Sequence, residues 1–333
     1  MEPGDLIDKV AARARAKKAK APRSADAAAP AQDIQPAVAK GGCLVPDRHP
    51  QMDFFIADIF DAAMKDDMAS MEHPLFALKP GDLRVRRYER RGNSVEVKPG
   101  PDGCATIHDK DLWIYCISQL IEAMNRGRDD VNRTVRFIAY NFLVTTNRGT
   151  AGKSYDRMGD ALGRLKGTTI ESNIATGGVR EWRGFGLIDD WCIIKRDSDG
   201  RMFSVEVTLP KWLFRSVMAR QVLTLSRDYF RIRKPINRRI YELVRKHCGN
   251  QTFWRVSLHV LHEKSGSTST LNEFRRGVKV LAASNDLPDY RTVFDESVDS
   301  VTFYARGPKG AAAEAEILAD RLKRDAQQGE RGR

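Results

Sequence analysis

Two stretches of the chain carry apolar residues at the same helical spacing. Leu271, Phe274, Val278 and Leu281 fall at i, i+3, i+7 and i+10, while Asn272, Arg275, Arg276 and Lys279 fill the opposite face. One face packs and the other is presented. Before them come a strand-like run (Trp254, Val256, Leu258), an apolar helical turn and a Ser/Thr/Gly linker from Lys264 to Thr270. An earlier segment repeats the plan. Val135 to Ile138 reads as a strand, Ala139 to Thr146 as a short helix, Asn147 to Gly152 as a turn, and Lys153 to Lys166 as a helix with Tyr155, Met158, Leu162 and Leu165 at the same intervals. Each copy is followed by β-rich runs: Thr168 to Ile174 and Phe185 to Lys195 around Gly177-Gly178, then Tyr290 to Phe294 and Ser300 to Tyr304. A helix-turn-helix followed by a hairpin is a winged helix, so the pattern predicts an α+β chain with two winged helices in tandem.

The remaining segments frame these units. Arg84 to Lys98 alternates around an Arg91-Gly-Asn93 turn as a hairpin, and Asp109 is placed to cap a helix running to about Arg126. Trp212 to Tyr229 reads as a helical connector, and Pro235 starts a helix buried along Ile236, Ile240, Leu243, Val244 and His247. The expected organisation is a disordered basic arm over 1–48, an extension plus first winged helix over 49–209, a second winged helix over 210–307, and a charged tail over 308–333.

Charge indicates what the presented faces meet. Of 333 residues 56 are Lys or Arg and 44 Asp or Glu, a net charge of +12. Arg227 to Lys246 holds eight basic residues against Asp228 and Glu242, half of that excess. Such a concentration beside a candidate recognition helix reads as a footprint for phosphate, here Arg231, Arg233, Lys234, Arg238 and Arg239. Asn272, Arg275, Arg276 and Lys279 are the candidate base readers, because Arg matches guanine and Asn matches adenine in the major groove; Ser267 and Ser269 of the preceding turn join them. The first copy presents Asp156, Gly159, Asp160 and Gly163 instead. It is expected to touch phosphate through Arg148, Lys153, Arg157, Arg180 and Arg183, or to serve as a dimer surface. Five widely spaced cysteines suit reduced, buried thiols. No apolar run approaches the ~18 residues of a membrane span and no signal-peptide pattern opens the chain, so a soluble, cytoplasmic protein is expected.

Several longer runs are similar to those of a known family. FFIADIFDAAMKDDMASMEHPLFAL (54–78), ATIHDKDLWIYCISQL (105–120), VRFIAYNFLVTTNR (135–148), RDYFRIRKPINRRIYELVRKHCG (227–249), KSGSTSTLNEFRR (264–276) and LPDY (287–290) resemble the replication initiator protein A family of bacterial plasmids. The resemblance spans roughly Met52 to Gly307. It implies an initiator that binds repeated origin sites (iterons) in double-stranded DNA, opens the neighbouring AT-rich DNA, recruits the host initiator and helicase machinery, and represses its own gene as a homodimer.

Enzymatic readings fare less well against the residues. Asn147-Arg-Gly-Thr-Ala-Gly-Lys-Ser154 lacks the first glycine of a P-loop, and no convincing strand ending in a magnesium-binding Asp follows, Leu187-Ile-Asp-Asp190 being the nearest. A P-loop-like NTPase of replication is therefore an alternative from another class, and a plasmid repressor without initiation activity is the alternative among binding proteins. His247, Cys248, His259 and His262 match no common zinc spacing. The histidine pair that a DNA-nicking initiator needs is missing from the sequence. Asp66-Asp67 and Asp189-Asp190 read as caps and turns. The expectation is a DNA-binding protein that is not an enzyme and needs no cofactor or metal.

Overall fold

The helical spacing of the two amphipathic stripes is realised almost as written, and each stripe sits in the same sequence of elements. A computed structural model describes residues 63–90, 92–195 and 202–331, which belong to one compact unit. The basic arm expected over 1–48, and the FFIADIF run, lie outside the described residues.

The chain enters through β1 (Lys65–Asp67) and the short helix α1 (Met68–Glu72), then forms the expected hairpin of β2 (Arg86–Arg90) and β3 (Asn93–Lys98). Next comes α2 (Asp111–Asn125), apolar nearly all round and buried at twelve of its residues, so it is the central rod of the first copy. After it follow β4 (Thr134–Ile138), α3 (Ala139–Thr145) and α4 (Gly152–Gly167), which buries Met158, Ala161, Leu162 and Leu165. Then come β5 (Thr169–Ser172), β6 (Arg183–Gly186), β7 (Asp190–Lys195) and β8 (Met202–Thr208). The second copy uses α6 (Pro235–Cys248), β10 (Phe253–Ser257), α7 (Leu258–Ser265), α8 (Leu271–Ser284), β11 (Tyr290–Asp295) and β12 (Ser300–Ala305). The sheets have one topology: β4-β8-β7 in the first copy and β10-β12-β11 in the second, antiparallel throughout.

The first hairpin differs from the expected one. The runs around Gly177-Gly178 do pair, Thr169 with Gly186 through Ser172 with Arg183, but β5 and β6 join β2 and β3 in a separate four-stranded sheet. The hairpin equivalent to β11-β12 is β7-β8. An inserted hairpin thus stands between the helices of the first copy and its closing strands, and a period-2 pattern does not say which sheet a strand joins.

Three further expectations change. The connector is α-helical only in its first part, Lys211–Met218 (α5); Val222–Thr224 (β9) instead pairs with β1, Lys65 opposite Thr224. Asp109 does not cap α2, which starts two residues later; its carboxylate accepts from the Thr106 amide at 2.8 Å and is held by the Arg164 guanidinium at 2.8 and 2.9 Å. Cys104, Cys116 and Cys248 are buried free thiols as expected, whereas Cys192 is exposed on β7, at the edge of its sheet. The tail forms a helix, α9 (Pro308–Arg331).

One apolar core runs through both copies, from Met64 through Trp113 and Tyr241 to Phe303. Trp113 lies edge-on to Phe76 with ring centres 5.2 Å apart and donates its indole N–H to the Leu187 carbonyl at 2.7 Å, so its polar atom is satisfied inside the core. The turn between α7 and α8 begins at Gly266, with φ of +67°, where a Cβ would lie 2.5 Å from Pro74. Only glycine serves both the left-handed conformation and that close approach. No described helix is long and apolar enough to cross a membrane.

Candidate nucleic-acid interface

Helix α8 begins with a reciprocal cap: the Thr270 hydroxyl accepts from the Glu273 amide and the Glu273 carboxylate accepts from the Thr270 amide. Phe274, Val278 and Leu281 are buried, so the face with Asn272, Arg275, Arg276 and Lys279 points outward as its spacing requires. The four are not equally free. The Arg275 guanidinium is bidentate on Asp299 of the β11-β12 turn, at 2.9 and 3.0 Å, and also donates to the Asn272 side chain at 2.6 Å. Lys279 pairs with Glu296 of the same turn at 2.9 Å and lies over the Phe294 ring. Arg276 is exposed and has no ion-pair partner among the described residues. Arg275 and Lys279 therefore couple the helix to its hairpin, and Arg276 is the side chain ready for a new acceptor. The two turn serines build the turn: the Ser267 and Ser269 hydroxyls lie 2.9 Å apart and Ser267 Oγ accepts from the Ser269 amide.

The basic footprint before and within α6 divides sharply, and two of its five residues are corrected. Arg238 and Arg239 are 2% and 3% exposed and grip protein rather than presenting charge. Arg238 donates to Asp111 at 2.6 Å and to the carbonyls of Ile232 and Phe230. Arg239 takes the carbonyls of Ser70, Met71 and Glu72 at the end of α1, and that of Lys264. Arg233 and Lys234 are exposed, and Arg231 is half-exposed and paired with Asp228 at 3.2 Å.

Around these arginines lies a buried ionic network that sequence reasoning missed. Lys110, fully buried, donates to Asp66 at 2.7 Å and lies 3.0 Å from Glu242; Glu242 also accepts from the Tyr229 hydroxyl at 2.7 Å and pairs with Arg239. Burial works against the Lys110 ammonium, yet Asp66 and Glu242 hold its pKa above the ordinary lysine value. Burial likewise pushes the Asp66 carboxyl up to about 7, against the pull of Lys110 and with Glu242 reinforcing it. The network links the entry segment, α2 and α6, and so ties the two copies together. No local signal marks it: Lys110 and Asp111 stand in the polar run His108 to Asp111, just before the apolar residues of α2.

The first copy presents a different surface. Lys153 and Arg157 are exposed, whereas Arg148 is held by Asp111 at 2.8 Å and by the His108 carbonyl at 2.6 Å. Asp156 and Asp160 are exposed, and Gly159 faces Ile193 of β7, 3.8 Å from where a Cβ would stand. Arg180 and Arg183 lie on the inserted β5-β6 hairpin, not on the closing one. Arg180 donates to the Asn93 side chain at 3.0 Å, and Arg183 lies 3.6 Å from Glu181. The P-loop-like run joins α3 to α4, so a helix and not a strand leads into it. His247 stacks on Trp254, His262 leans on Phe274, and no group of three or more metal-binding side chains exists among the described residues.

Comparison with known proteins agrees with this geometry. The chain is 42% identical over 258 residues to a presumed replication protein of Wigglesworthia glossinidia brevipalpis, covering 76% of this chain and 94% of that one. A crystal structure of domains 2 and 3 of RctB superposes with a TM-score of 0.50 at 9% identity, over 71% of this chain and 96% of that chain, so the likeness is one of fold. The family model for replication initiator protein A matches residues 65–292. This chain is a member of the replication initiator protein A family.

Proposed function

We propose that the protein initiates plasmid replication by binding repeated sites in double-stranded origin DNA through two winged-helix halves, 49–209 and 210–307, with no chemistry of its own. The observation that carries this reading is α8. It is an amphipathic helix fixed by a capping box behind a glycine turn, presenting Arg276 beside a hairpin to which Arg275 and Lys279 bind it. Base reading belongs to α8. The first half, with Asp156 and Asp160 outward on α4, contributes phosphate contacts from Lys153 and Arg157 or pairs with a second copy. Arg231, Arg233 and Lys234 supply the footprint between them. Origin opening, contact with host initiator and helicase, self-repression as a homodimer and a cytoplasmic location follow from the family reading.

Footprinting of the full chain on the DNA flanking its own gene tests this. Protection of direct repeats spaced by about two helical turns supports it, and uniform protection without repeats contradicts it. Plasmid maintenance dependent on those repeats separates an initiator from a repressor. Steady nucleotide hydrolysis by the purified protein would instead favour the NTPase alternative.

A further inference from the structure

The turn that imitates a P-loop borders a cavity that no residue of α8 lines. Residues of three segments line about 400 Å³: His108 and Asp111 at the start of α2, Asn147 to Gly149 with Ser154 and Arg157 around the α3-α4 turn, and Arg233 and Arg238 from the other copy. Four guanidinium groups face one carboxylate. That carboxylate, Asp111, is already shared by Arg148 at 2.8 Å and Arg238 at 2.6 Å. Arg157 and Arg233 have no ion-pair partner among the described residues, and the Arg148 Nε is buried with no hydrogen-bond partner. Excess positive charge held in a concave site needs an anion, and planar guanidinium donors suit phosphate oxygens.

We propose that this cleft binds a phosphoryl group, held by Arg157 of the first copy and Arg233 of the second against Arg148. The group is either a DNA backbone phosphate or the phosphate of a free nucleotide. The inference extends the proposed DNA reading at Arg157 and Arg233, and rests on that reading only when the phosphate is a backbone one. Because the donors come from both copies, an occupied cleft links them at a second point besides the buried network. The field inside is already visible at His108: burial lowers its pKa below the ordinary value, and Arg238 and Arg148 lower it further against Asp111 and Asp109. A bound phosphate opposes that field, so it raises the His108 pKa.

The probe is inorganic pyrophosphate, titrated calorimetrically into the full chain and into the variant Arg157→Gln/Arg233→Gln. Both side chains are exposed, so the variant is expected to melt as the wild type does. Saturable binding of one pyrophosphate per chain, weakened at least tenfold in the double variant, unchanged in Lys211→Gln at an exposed position outside the cleft, and accompanied by a rise in the His108 pKa by NMR, is the expected result. A random duplex that displaces pyrophosphate identifies the backbone as the source; a nucleoside diphosphate that binds more tightly than pyrophosphate and survives added duplex identifies the nucleotide. Absence of saturable binding, or equal binding by the double variant, overturns the proposal. Specific footprints on origin repeats would then still stand, so the two readings fail separately.

Discussion

Replacing Lys110 with Met removes the single ammonium between Asp66 and Glu242 while keeping most of the side-chain volume. Lys110 and Asp66 are fully buried and Glu242 is 1% exposed, with contacts of 2.7 and 3.0 Å, so neither carboxylate has water to turn to. Breaking one partner out of such a buried set costs about 3–5 kcal/mol, a large part of the ~5–15 kcal/mol that holds a typical domain. At roughly 2–4 °C per kcal/mol for a chain of this size, the melting temperature falls by about 6–20 °C. The pH dependence gives a second signature. Asp66 has a folded pKa raised above its unfolded value, so its contribution is complete below the ordinary carboxylate range and is lost as pH rises through about 7. Without the ammonium its pKa rises further, so the variant's deficit is larger at pH 8 than at pH 5.5. Urea unfolding followed by tryptophan fluorescence at both values measures it, and Lys110→Met/Asp66→Asn recovers part of the loss. A deficit under ~1 kcal/mol that does not change with pH would refute the claim that this network joins the two copies.

Other expectations follow from the same geometry. Arg239→Ala leaves four carbonyls without a donor and lowers the melting temperature, whereas Arg233→Ala/Lys234→Ala melts normally and flattens the log–log salt dependence of DNA binding by roughly one unit per contact; the opposite pattern would restore Arg239 to the DNA surface. Burial lowers His73 to about 4, with Arg239, Lys264 and Lys246 adding to it against Glu72. A depressed folded pKa gives stability present above the unfolded value and lost as pH falls, so up to about 3 kcal/mol disappears between pH 6.5 and 4, and His73→Gln flattens that acid limb in calorimetry. Of Cys104, Cys116, Cys192 and Cys248, native-state maleimide labelling modifies Cys192 alone, and rapid labelling of any other would contradict the burial.

Much of this fold was legible along the chain because the signals are local. The stripes at Met158, Leu162, Leu165 and at Phe274, Val278, Leu281 set the two presented helices within a residue or two, and the Arg91-Gly-Asn93 turn set its hairpin. The misses are contacts between distant segments. Arg238 and Arg239 look identical to Arg233 and Lys234 in a basic run, and only the carboxylate of Asp111, 127 residues away, and the end of α1 separate buried from presented charge. β5 and β6 carry a correct hairpin signal, but the partner that draws them out of the first copy's closing hairpin is β3, far earlier in the chain. On α8 the spacing identified the outward face, while Asp299 and Glu296, which engage Arg275 and Lys279, arrive from the hairpin turn.

Base reading by α8 rests on Arg276, an exposed side chain of its outward face. Its most direct test is the ratio of affinities for an origin repeat and for random duplex at one fixed salt concentration, measured for the wild type and for Arg276→Ala. A wild-type preference of at least ~10³ is expected. The variant should melt normally, lose about 1–3 kcal/mol on the repeat, and keep its affinity for random DNA. A wild type without preference, or a variant that loses repeat and random binding equally, would contradict the assignment of base reading to this helix.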